Sequence, residues 1–157
     1  MSATDAVGTA LACRLTAGSR WRWIALVALV VGLTGCDSLG FTEHEWHSGD
    51  YVLAAIDTRE DMSLYADLGK GNLAGLVDST VFALGADKRY IVLKQHPATE
   101  GAGVDRGVTN YFVVTRLPGT IVEKQTGVHG PMTREQFEQL SATLHLPPFT
   151  KTLDDLK

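Results

Sequence analysis

Cys36, five histidines and a few clustered carboxylates are the residues of this 157-residue chain whose types and spacing suit them to chemistry. Cys36 follows Leu33-Thr34-Gly35, the small-residue end of an apolar run, so its thiol is a candidate for covalent modification at a cleavage site. His44-Glu45-Trp46-His47 sets two imidazoles beside carboxylates, a combination that can chelate a divalent ion. The helical zinc-protease motif needs two residues between its glutamate and second histidine, so that both imidazoles fall one turn apart. This chain has one, and His44 and His47 remain as metal candidates in a solvated segment, not as a protease centre. Asp57, Glu60 and Asp61 offer an acid and base pair for a hydrolase, or an ordinary charged turn. His96, His129 and His145 are scattered at the ends of expected elements, which is weak support for a metal centre. None of the serines after Cys36 sits in a Gly-x-Ser-x-Gly elbow. Gly101-Ala102-Gly103 and Gly107 are out of register for a dinucleotide fingerprint and follow no strand-to-helix turn. The expectation is no catalytic residue, no enzyme and no nucleotide.

The elements that position Cys36 lie before it. Arg14, Arg20 and Arg22 precede Trp23-Ile24-Ala25-Leu26-Val27-Ala28-Leu29-Val30-Val31-Gly32, and the order basic, apolar, small is that of an export signal. A permanent membrane helix needs about 20 apolar residues, so this shorter run is expected to be removed. Leu33-Thr34-Gly35-Cys36 resembles the lipobox of bacterial lipoproteins. The resemblance implies that a signal peptidase recognises Leu33, Thr34 and Gly35, and that Cys36 becomes the lipidated first residue. It also implies a fatty acyl group such as palmitate on that residue, and no cofactor beyond the covalent lipid. Two or more acyl chains anchor a protein stably where one binds only marginally. Asp37 resembles the signal that retains such proteins in the inner membrane, and the expected location is the cell membrane, lipid-anchored and facing the periplasm or exterior, with inner favoured over outer.

Three of the 14 basic and one of the 18 acidic side chains precede Cys36, which leaves 11 basic against 17 acidic after it, a net charge of −6. Such a chain has no electrostatic means of holding nucleic acid. Cys13 falls in the signal, so Cys36 is the one cysteine of the mature chain and no disulfide is available. The expected organisation is a signal peptide over 1–35, a lipidated tether over 36–48 and one domain over 49–157.

Past Asp50 the pattern is that of strands. Tyr51–Ile56, Met62–Ala66, Val77–Leu84, Arg89–Gln95 and Asn110–Arg116 are the expected strands, with Gly69-Lys70-Gly71-Asn72 and Gly85-Ala86-Asp87-Lys88 as turns. Tyr90, Val92 and Lys94 should face one side and Ile91 and Leu93 the other. Pro97–Val108 reads as a long Gly-rich loop and Ile121–Lys124 as a short strand. One helix follows. Thr133 with Gln136 makes a capping box, Met132 and Phe137 sit at the staple positions, and Phe137, Leu140 and Leu144 share a face. Pro147-Pro148 ends the helix, and Phe149, Leu153 and Leu156 are placed to fold back. The predicted class is α+β, a small antiparallel meander of five or six strands with one C-terminal helix on it.

Tyr90–Pro97, Tyr111–Val114, Gly130–Phe137 and Leu144–Pro147 resemble blocks of an uncharacterised family of short bacterial lipoproteins, a domain of unknown function. That resemblance implies a small sheet with a C-terminal helix and carries over no site residues. The functional expectation is a membrane-anchored envelope lipoprotein, a non-catalytic module that binds or scaffolds an envelope protein or peptidoglycan. The alternative is a metal-binding envelope lipoprotein that uses His44 and His47.

Overall fold

Tyr90–Gln95 pairs on both sides and sits near the centre of the molecule. Its alternation sends Ile91 and Leu93 into one core and Tyr90 and Val92 into another, as a period of two requires. In the computed structural model, which describes residues 42–99 and 101–157, this strand belongs to the second of two antiparallel sheets. The first contains β1 (Glu43–Ser48), β2 (Tyr51–Ala55), β3 (Ser63–Asp67) and β4 (Leu73–Val77), in chain order. β5 (Val81–Ala86), β6 (Tyr90–Gln95), β9 (Asn110–Thr115), β10 (Val128–Met132) and β11 (Lys151–Thr152) build the second, in the order β10-β9-β6-β5-β11. A small hairpin, β7 (Ala98–Thr99) with β8 (Gly103–Val104), projects from the loop between β6 and β9.

The sheets share one core. Tyr51, Leu53, Ala55 and Leu64 from the first meet Val81, Leu84, Ile91, Leu93, Phe112 and Val114 from the second. Each large aliphatic side chain buried there contributes roughly 1.5–3 kcal/mol. The outer face of the second sheet forms another core with helix α2 (Arg134–Leu144), where Tyr90, Val92 and Val113 meet Phe137, Leu140 and Leu144. The chain is therefore α+β and mainly antiparallel. Thr133 caps α2 as expected, accepting from the Gln136 amide at 3.3 Å while Gln136 Oε1 accepts from the Thr133 N–H at 2.8 Å. Leu153 and Leu156 are buried in the inter-sheet core, and Phe149 packs partly buried against it. Gly85 makes room for this return, because a Cβ there would collide with the Pro148 carbonyl while Thr150 donates its N–H to Leu84 at 2.9 Å.

Four expectations are corrected. The meander holds in the first sheet but does not continue as one sheet. Val77–Leu84 splits into β4 and β5 of different sheets, because Asp78-Ser79-Thr80 turns the chain and the Thr80 hydroxyl donates to the Glu60 carbonyl at 2.6 Å. Ile121–Lys124 is helical: α1 (Ile121–Thr126) starts at a capping box in which the Thr120 N–H donates to Glu123 at 2.7 Å, and that cap overrides the β-branched pair Ile121-Val122. Glu43–Ser48, read as tether, is strand β1, because a Gly49-Asp50 turn folds it back on β2. The Gly-rich loop contains the hairpin β7–β8.

The two long sides of the sandwich close differently. On one side β1 and β11 are edge strands, linked by Lys151 Nζ to Glu45 at 2.7 Å. Arg59, in a 3-10 turn (Arg59–Asp61), reaches Glu43 at 2.9 Å, Glu45, and Asp155 at 2.7 Å. On the other side the edges are β4 and β10, and α1 touches both. Its Lys124 is only 2% exposed. The ammonium donates to Asp50 at 2.9 Å and to the Leu117 carbonyl at 2.9 Å, and lies 5.2 Å from the Tyr51 ring. Arg116 lies 5.4 Å from that ring and 5.6 Å from Trp46, and donates to the Ser48 carbonyl and hydroxyl.

Candidate functional sites

His44 and His47 are three residues apart, and on a regular strand they would point to opposite faces. A bulge changes this. His44 opposes Ala54 and Trp46 opposes Leu53, so Glu45 is one residue more than the partner strand holds and His47 comes to face Val52. Both imidazoles then lie on the outer face of the first sheet, at the rim of a cavity of about 600 Å³ whose lining includes Val52, Asp67 and Leu73. The extra residue, Glu45, carries the ion pairs to Arg59 and Lys151. The Lys151 hydrogen bond, then Arg59, hold its carboxyl below the usual 4.5, and Arg59 does the same to Asp155 below 3.8.

The other candidate residues stay apart. His96 is buried and stacked on Phe82 at 4.2 Å, with Nδ1–H donating to the Val108 carbonyl at 2.7 Å and Nε2 without a partner among the described residues. His129 is exposed on β10, and His145 caps α2 in a left-handed conformation. Asp61 accepts from the Thr58 amide and hydroxyl at 2.9 and 2.8 Å, Glu60 pairs with Arg106 at 3.3 Å, and Asp57 is exposed. The charged-turn reading accounts for two of those three carboxylates. Among the described residues no three His, Cys, Asp or Glu side chains converge to hold a metal. Leu33, Thr34, Gly35, Cys36 and the signal peptide lie outside the described residues.

Sequence reasoning missed a second concavity. It has a volume of about 420 Å³, opens between the end of β4 and β10, and is lined by Asp78, Ser79, Gln95, Asn110, Phe112 and Pro131, among others. Gln95 is 7% exposed, and its amide nitrogen donates to the Asp78 carbonyl at 3.2 Å and the Ser79 carbonyl at 2.9 Å. Carbonyls only accept, so the orientation of the Gln95 amide is fixed and Oε1 must face Asn110, whose Nδ2 donates to it at 3.1 Å. The signal for this pair is two amide residues at strand ends that become opposite partners, Gln95 with Asn110, once the strands are set in register.

Together these features define an α+β domain of two packed antiparallel sheets whose open concavities include one carrying histidines and one carrying amides. No protein family, no curated protein and no solved structure matches the chain.

Proposed function

We propose that this protein is a lipid-anchored envelope lipoprotein whose domain binds an envelope component, an envelope protein or peptidoglycan, without catalysing a reaction. The observation that carries the reading is the arginine-flanked apolar run ending in Leu33-Thr34-Gly35-Cys36. Removal of that run before Cys36 leaves an acylated terminus, and Asp37 favours the outer leaflet of the inner membrane. Support for a binding role comes from the two concavities, since sites that hold ligands are concave with a few fixed polar groups. Six residues lie between Cys36 and Glu43, so over the seven steps the strand β1 starts at most about 25 Å from the anchor, at roughly 3.6 Å per residue.

Intact mass of the protein expressed in a bacterium, with membrane fractionation, tests the reading. The expected product is Cys36–Lys157 plus acyl groups in a membrane fraction. An unprocessed chain, or a soluble one with a free Cys36, overturns it.

A second reading has its own observation. The bulge at Glu45 turns His44 and His47 to one face, where two imidazoles suit copper or zinc. Calorimetry with each metal on the full chain tests it: binding of one ion, lost in His44→Ala and in His47→Ala, is expected. No heat, or heat unchanged in both variants, removes it.

A further inference from the structure

The cleft between β4 and β10 carries chemistry that the anchor does not explain. We infer that it is a binding site for an N-acetylated amino sugar of the kind that builds wall glycan, a ligand class that rests on the envelope-binding reading above. Its polar residues are Gln95, Asn110, Ser79 and Asp78, and among the described residues no cation lines it. A phosphate or carboxylate ligand would meet no positive partner there and one negative charge. A neutral ligand rich in hydroxyl and amide groups fits.

Asn110 sets the selectivity. With one N–H held by Gln95 Oε1, it keeps a second N–H and its Oδ1 for a ligand. That pair of groups, a donor beside an acceptor, complements an acetamido group, whose carbonyl accepts and whose N–H donates. Exposed Pro131, with half-buried Leu76 and Pro97, supplies the apolar surface on which the acetyl methyl and the carbon face of a sugar ring can lie. Gln95 acts as a positioning residue. Both of its donors are committed to backbone carbonyls, so the Asn110 amide is held in one orientation before any ligand arrives.

A peptide is the competing ligand, because its backbone also presents amides. An extended peptide binds a sheet through free backbone groups at an edge. On the Asp78-Ser79-Thr80 turn that lines the cleft those groups are occupied. The Asp78 and Ser79 carbonyls accept from Gln95, and Thr80 exchanges two backbone hydrogen bonds with His96, each 2.9 Å. What this turn leaves for a ligand is its side chains and those of Gln95 and Asn110 beside it, and that favours the sugar.

The test is calorimetric titration of the detergent-solubilised full chain with the β-1,4-linked trimer of N-acetylglucosamine, with the deacetylated trimer and trialanine as controls. Saturable binding of the acetylated trimer is expected, with at least tenfold weaker binding in Asn110→Ala and of the deacetylated trimer, and unchanged binding in Lys88→Ala, an exposed position at the far end of β6 from Gln95. Asn110→Ala leaves the Oε1 of buried Gln95 without its donor and should lower the melting temperature, so binding is compared well below the melting temperature of both chains, where lost binding is read as a lost contact. No heat up to about 10 mM trimer overturns the inference, as does binding indifferent to Asn110→Ala or stronger binding of trialanine. The outcome is separable from that of the parent reading. A lipidated chain that ignores the trimer refutes the cleft alone, and an unlipidated chain that binds it refutes the anchor alone.

Discussion

The two sides of the sandwich close the same gap with opposite means. Between β1 and β11 the closure is ionic and partly wet: Arg59 sits among Glu43, Glu45 and Asp155, with Lys151 on Glu45. Between β4 and β10 it is a short helix that buries one lysine against an aromatic ring. Charges at a wet surface are screened and each contributes little. A buried ammonium is different, because it depends on every partner it keeps. The lesson is that the β4–β10 side should be sensitive to single changes, and the β1–β11 side to solution conditions.

Asp50→Ala is the largest expected effect. It leaves the Lys124 ammonium with the Leu117 carbonyl and the Tyr51 ring but no counter-charge, and should cost about 3 kcal/mol, read as a lower denaturation midpoint in urea. Since Asp50 is itself 63% exposed, an effect below about 1 kcal/mol would mean that water reaches Lys124 and would erase the contrast. Thr120→Ala comes next at about 1 kcal/mol, by removing the cap that starts α1, and chemical denaturation measures it. Glu45→Gln should cost about 0.5 kcal/mol, and that difference should shrink in 0.5 M salt (~4 Å Debye length), while the Asp50→Ala difference persists.

Acid sharpens the same contrast. Glu45 and Asp155 have folded pKa values below their ordinary 4.5 and 3.8, so the stability they contribute is fully present above those ordinary values. It is lost as pH falls through the lower folded values. Melting temperature should therefore drop more steeply below about pH 4.5 in the wild type than in Glu45→Gln.

Much of the second sheet was legible in the sequence, because Tyr90–Gln95 and Asn110–Thr115 are short runs rich in β-branched and aromatic residues, bounded by Asp87-Lys88 before the first and by Pro97 and Pro118 after each. The helix was legible through Thr133 and Gln136. The first strand was not: Glu43–Ser48 has no period of its own, since a bulge breaks the alternation and its charges meet Arg59, Lys151 and Asp155, far along the chain. The helix α1 was hidden by Ile121-Val122, whose strand preference yields to a cap and to a lysine that finds Asp50 across 74 residues. For the histidines, spacing alone gave opposite faces, and only the pairing of His44 with Ala54 and His47 with Val52 brings them together. The amide cleft needed the register of β6 on β9 before Gln95 and Asn110 could be seen as neighbours.

The bulge at Glu45 has a consequence for association as well. β1 is an edge, and a flat edge offers its free backbone groups to any other strand it meets. Anchored to a membrane as proposed, the protein would meet copies of itself often. By inserting one residue and a carboxylate in the middle of β1, the bulge interrupts the straight ladder that a second copy would need. The irregularity that turns two imidazoles the same way also favours a chain that stays single when crowded.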